Sequence, residues 1–203
     1  MTRTLAAALA LAALLGACQP AGGPGGAAAQ PDTARTIVDS ILPIEEELRR
    51  FRSEVGEAPT SLAGGAPSRD ALVERFVSAL EAADTAAFRD MLLTRAEFAW
   101  LYYPHTRFTA PPYELAPALL WFQVENGTSR GFGRLLERMG GRPAHADGYA
   151  CPSEARAEGP NRVWEDCVVH LRPPGGEPRD VRIFGTILER GGVFKFVSYS
   201  NGF

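Results

Sequence analysis

The sequence predicts an α+β fold, with helices first and an antiparallel sheet last, and three observations carry that expectation. Between Thr36 and Met139 apolar residues recur at steps of three and four, the period of helices with one buried face. Past Gly141 the period falls to two, over stretches rich in β-branched and aromatic residues. Arg190-Gly191-Gly192 stands between two such stretches as a tight hairpin signal. Helices followed by strands, rather than alternating with them, is the order of an α+β domain.

Taken from its start, the chain opens with Met1-Thr2-Arg3-Thr4, which carries one positive charge and no acid. An unbroken run of Ala and Leu follows from Leu5 to Leu15. A charged end and a short apolar core make a secretory leader, too short to span a bilayer as a mature helix. Gly16 and Ala17 then stand directly before a cysteine. Leu15-Gly16-Ala17-Cys18 resembles the lipobox of bacterial lipoproteins. That resemblance implies removal of residues 1–17, diacylglycerol on the Cys18 sulfur and acylation of the new amino terminus. It places the protein in the cell envelope, facing the periplasm, and Gln19 after the cysteine favours the outer membrane over the inner. The alternative is a plain secretory signal in which Cys18 is incidental.

Residues 18–34 are mostly Gly, Pro and Ala with almost no core-forming side chain, and they read as the lipidated cysteine and the tether behind it. Such a chain reaches about 20–25 Å. Residues 35–203 then suit one globular domain, and the 45% apolar content is enough for a real core. The formal charge is −3 with no basic stripe, which argues against nucleic acid as a partner.

Ile37, Ile41, Ile44, Leu48, Phe51 and Val55 trace one helix face over 36–55, with Pro43 set to kink the helix or open a second one. Glu45/Arg49 and Glu46/Arg50 are spaced as ion pairs on the opposite face. Ser68 is placed to cap a helix through Leu72, Val73, Phe76, Val77 and Leu80 that ends near Ala83. Asp84 caps a short successor with Phe88, Met91 and Leu92, and Thr94-Arg95-Ala96-Glu97 fits a capping box for a third helix. Pro112 is expected to begin a helix that Asn126-Gly127 ends, and a further one runs from Ser129 to Met139. Strands are expected at 163–171, 181–188 and 193–199. A fourth around Tyr149-Ala150-Cys151 completes a meander of about four strands.

Cys151 and Cys167 lie sixteen apart, and Gly159 in Glu158-Gly159-Pro160-Asn161 marks a turn midway between them. A hairpin folded there sets the two cysteines opposite one another, and an exported protein with two remaining cysteines forms one disulfide. The rival is a metal site with His145 or His170. Two cysteines without a Cys-x-x-Cys pair make poor zinc ligands in an oxidising compartment, so no metal and no cofactor is expected.

Chemistry has few candidates. None of His105, His145 and His170 sits in a metalloprotease or nucleophile-elbow motif. Glu165, Asp166 and His170 fall within the expected strand 163–171, where Asp166 and His170 share a face with Trp164. On a concave sheet that pair could act as acid and base, and the bland alternative is a solvated strand face. Trp100, Tyr102, Tyr103, Phe108, Tyr113, Trp121 and Phe122 form the densest aromatic region, which at helical spacing reads as core. The loop Tyr102-Tyr103-Pro104-His105 could set polar aromatic tips at the mouth of a cavity.

The helix-turn-helix of Leu72–Leu93 through Ala82-Ala83-Asp84, with the Cys-bearing meander, resembles the nuclear transport factor 2-like cone fold of ketosteroid-isomerase-like domains. The resemblance implies a curved sheet wrapped on helices with a ligand pocket at its open end; residues 95–139 depart from it by reading as helix. Three functions follow as expectations. The first is a lipid-anchored envelope protein that binds a small ligand or an envelope protein without chemistry. The second is an enzyme using Asp166 and His170. The third is an assembly lipoprotein docking through helix 36–55.

Overall fold

The computed structural model describes residues 42–203. The leader, Cys18, the tether, and Ile37 and Ile41 of the first expected helix lie outside the described residues. Helix α1 (Ile44–Val55) opens directly after Pro43, whose carbonyl accepts the amides of Glu46 and Glu47 at 3.0 Å each. Proline therefore starts this helix and does not kink it. Ile44, Leu48, Phe51 and Val55 face inward, so the described half of the supposed docking stripe is already packed. On the outer face Glu46 takes both Arg49 and Arg50 at 2.7 Å, leaving the expected Glu45–Arg49 pair unmade.

The next caps are local, and they form as local chemistry requires. Ser68 accepts the Ala71 amide at 3.1 Å and opens α2 (Arg69–Ala82), which ends where Ala83 turns left-handed at φ 52°. Asp84 accepts the amides of Ala86 and Ala87 to open α3 (Thr85–Met91). The Thr94–Glu97 capping box opens α4 (Arg95–Glu97), which continues as a π turn (Phe98–Tyr102) and a 3₁₀ turn (Tyr103–His105).

One long helix, α5 (Pro117–Met139), replaces the two expected from Pro112 to Met139. Pro112 cannot begin it because the chain is still turning at Glu114, with φ at 42°. Asn126-Gly127 does not end it because the glycines on this stretch are contact points. Gly127 faces Ser200, and Gly131 lies against the Tyr199 carbonyl so closely that a methyl group has no room. Asn201 Nδ2 donates to the Gly131 carbonyl at 2.7 Å, tying the C-terminal strap to the helix. Tertiary contact overrides the local stop signal.

The sheet is the expected antiparallel meander, but its passes are broken in the middle. Strands β1 (Ala146–Ala150), β4 (Val168–Leu171) and β5 (Arg179–Val181) form one sheet in the order β1-β4-β5. Strands β2 (Arg156–Glu158), β3 (Asn161–Trp164), β6 (Ile187–Arg190) and β7 (Val193–Phe196) form the other in sequence order. The expected strand 163–171 is thus two strands in two sheets, separated by Glu165-Asp166-Cys167 with Asp166 at φ 57°. The third pass breaks likewise over 182–186, where Ile183 and Phe184 are fully buried.

Alternation along the four-stranded sheet buries both of its faces. Trp164, Ile187 and Phe196 pack into a core with α2 and α3, whereas Val163, Leu188 and Val197 pack into a second core with α1 and the Phe98–Tyr103 segment. Phe76 anchors the first core, with ring centroids 5.1 Å from Phe88 and 5.3 Å from both Phe184 and Phe196. Each such pair adds about 0.5–1.5 kcal/mol beyond burial.

Cys151 and Cys167 are disulfide-bonded. The hairpin between them turns at Gly159 as expected, with Glu158 paired to Asn161. The two cysteines stand opposite one another on the arms of that hairpin, as the spacing predicts, with Cα atoms 4.1 Å apart. They extend the neighbouring pair β1–β4, just beyond Ala150 and Val168, so the bond closes the base from which β2 and β3 cross to the other sheet.

Candidate functional site

The break in the meander creates a cleft of ≈ 400 Å³ lined by Arg107, Glu165, Asp166, Arg182, Thr186, Ser198 and Ser200. Four segments supply these groups: the 3₁₀ turn after Thr106, the β3–β4 break, the β5–β6 break, and the strap after β7. The cause is local. Where the ladder is lost at 165–167 and 182–186, Cys167, Ile183 and Phe184 stay in the core, while Glu165, Asp166, Arg182 and Thr186 line the gap.

A relay of charges backs this cleft. Arg156 grips the Glu165 carboxylate with both Nη1 and Nη2, and its Nε also donates to Glu158 Oε1 at 3.1 Å. The Arg156 bond holds the Glu165 carboxyl below the usual carboxylate range, although partial burial opposes it. Glu165 therefore stays ionised and already compensated. Arg107 Nη2 stands 3.6 Å from Glu165 Oε1, too far for a hydrogen bond. On the other side Arg182 Nη1 donates to Asp166 at 3.1 Å, between side chains that are both exposed. An exposed pair of this kind contributes about 0–1 kcal/mol and is easily exchanged for a ligand.

The residues singled out from sequence fall in different places. Asp166 lines the cleft, but His170 lies beyond the break on β4, where its Nδ1 meets Asp180 Oδ1 at 2.6 Å. Asp166 and His170 do not share a strand face, because the left-handed turn at Asp166 separates them. Trp164 is buried, stacked 5.9 Å from Phe194 and covered by Arg69 and Arg162 at 5.1 and 5.7 Å. Tyr103 is fully buried, and its hydroxyl donates to the Leu115 carbonyl at 2.6 Å. His105 packs against Gly159, and partial burial lowers its pKa, with Arg190 and Arg52 adding to the effect.

Tyr102 lies nearest the cleft's charges. Burial pushes its phenol up to about 12, and the carboxylates of Glu158 and Glu165 add to the rise. Glu158 is itself buried and leaves Oε2 without a hydrogen-bond partner, as Thr106 leaves Oγ1. Arg107, Arg182, Ser198 and Ser200 were not singled out from sequence. Each is an ordinary polar residue in its own segment, and only the broken sheet brings them together.

Among the described residues no group of three or more His, Cys, Asp and Glu is placed to hold a metal ion. No described helix is long and apolar enough to cross a membrane. No protein-family model matches the chain, and no curated protein or solved structure matches it.

Proposed function

We propose that this is a lipid-anchored envelope protein whose domain binds a small anionic solute, a carboxylate or phosphate, in the cleft at the break of the sheet. One observation carries the binding reading. The cleft holds two guanidinium groups that are weakly committed, Arg107 at 3.6 Å from a carboxylate satisfied elsewhere and Arg182 on an exposed aspartate. Planar guanidinium groups match the geometry of carboxylate and phosphate oxygens, and Ser198 and Ser200 add hydroxyl donors beside them. The anchor reading rests on Leu15-Gly16-Ala17-Cys18 and its apolar run. A cone-shaped domain open at one end is the arrangement that the resemblance to nuclear transport factor 2-like folds implies.

The catalytic alternative gains no support from the geometry, since Asp166 sits at the left-handed break and is bonded to Arg182, whereas His170 is on β4 and bonded to Asp180. Binding is tested by calorimetric titration of the purified protein with inorganic phosphate and with succinate. Arg107→Gln and Arg182→Gln are each expected to weaken the bound probe by about tenfold or more. Equal affinity in both variants removes the cleft as the binding site. Mass spectrometry of the membrane-extracted protein tests the anchor: an unmodified Cys18 removes it.

A further inference from the structure

Among the described residues the exposed large apolar side chains are Tyr113, Leu119 and Phe122, with Phe122 at 60% exposure. All three fall within one ten-residue window, on the loop before α5 and the first two turns of that helix. From Phe108 to Val124 the only charged side chain is Glu114. Ala110, Pro111, Pro112 and Ala118 are exposed between the larger residues, so this end of the domain offers an almost uncharged apolar surface. An exposed apolar patch of this kind marks a contact with protein or with membrane.

The position of the patch decides between them. The described chain enters at Leu42, just before α1, and Ile44 and Leu48 pack in the same core as Leu115 and Trp121. The carboxylates of Glu45 and Glu47 act on the phenol of Tyr103, whose hydroxyl is bonded to the Leu115 carbonyl. The chain that comes from Cys18 therefore joins the domain at the end where the patch lies. A stretch of that length has a reach of about 25–30 Å, short enough to keep this end near the surface that holds the anchor. Specific protein interfaces carry about one hydrogen bond per 100–200 Å², and this window offers little beyond the Tyr113 hydroxyl, Glu114 and Gln123. Tyr and Phe set among small residues and prolines suit the apolar boundary of a bilayer.

We infer that Tyr113, Leu119 and Phe122 dip into the lipid interface of the membrane that carries the Cys18 anchor, fixing how the domain faces away from it. This inference rests on the anchored reading. Its driving force is apolar transfer, not charge, so the contact persists at high salt.

The test is depth-dependent quenching of tryptophan in the acylated protein reconstituted in phosphatidylcholine vesicles with brominated acyl chains. A Phe122→Trp reporter is expected to lose about half its added emission, as a side chain at the acyl boundary would. Leu119→Ser in the reporter background is expected to reduce that loss, while the protein still sediments with the vesicles. The unacylated chain added to the same vesicles is expected to partition about tenfold less well once Leu119→Ser and Phe122→Ser are combined. An unquenched reporter on acylated, vesicle-bound protein overturns the inference and leaves the anchor standing. A dimer in sedimentation that the double variant abolishes would assign the patch to a second copy instead. An unmodified Cys18 overturns the anchor, and the unacylated partition measurement then decides the patch alone.

Discussion

Lys195 Nζ lies 2.8 Å from Glu97 Oε2, and water reaches neither side chain. Lys195 is the only lysine in the chain, and it sits on β7 between the sheet and α4. The ammonium also donates to the Ala63 carbonyl at 2.7 Å, while Glu97 accepts the amides of Ala63 and Thr94. One pair thus joins the last strand, the loop before α2 and the capping box. Removing either partner strands the other charge in the core, which costs about 3–5 kcal/mol. Lys195→Met and Glu97→Gln should each lose that much in urea unfolding, and the double variant should lose less than their sum. A loss under about 1 kcal/mol for Lys195→Met would mean that the pair is reached by water after all.

Helix α5 carries two glycines with opposite expectations. At Gly131 an added methyl meets the Tyr199 carbonyl, backbone that cannot step aside. At Gly133, two residues on, nothing lies within 4 Å. Gly133→Ala should stabilise the protein by about 0.5–1 kcal/mol through helix propensity alone. Gly131→Ala should destabilise it by about 1–3 kcal/mol, because the C-terminal strap must move. Thermal midpoints of the two variants check the contrast, and equal shifts would refute the close approach.

What the sequence made legible follows the range of the interaction. Ser68, Asp84 and the Thr94–Glu97 box act over three residues, so their helices begin where the residues say. The meander was legible because the Gly159 and Gly191 turns are local too. The break at Asp166 was not, since Val163 to Leu171 is rich enough in β-branched and aromatic residues to read as one strand, with Glu165-Asp166 passing as its solvated part. Asn126-Gly127 misled for the converse reason: a strong local stop yields to packing against residues 199–201. The cleft was invisible because Arg107, Arg182 and Ser198 come from distant segments, and no spacing rule links them.

The disulfide fixes the excursion of β2 and β3 from one sheet to the other. In the chain-entropy view a loop of sixteen residues stabilises by about 3 kcal/mol. Cys151→Ser with Cys167→Ser should lower the urea midpoint accordingly, and the oxidised wild type should show no free thiol at these positions after unfolding. A change below about 1 kcal/mol would mean that the β1–β4 pairing alone holds that base.

Alkaline pH tests the buried phenols. Burial pushes Tyr102 and Tyr103 up to about 12, and Tyr199, whose hydroxyl donates to the Phe88 carbonyl, moves up further for the same reason. The unfolded chain releases these protons near 10. A folded pKa above the unfolded one means that this contribution is complete below about pH 10 and is lost as pH rises from there toward 12. For Tyr102 the loss is on the order of 2–3 kcal/mol by pH 12. Absorbance at ~295 nm, which reads phenolate, and circular dichroism should therefore change together, because these tyrosines ionise only as the fold opens. Ionisation of two or more of the buried phenols below about pH 11 with the dichroism unchanged would show that they are solvated in the native protein.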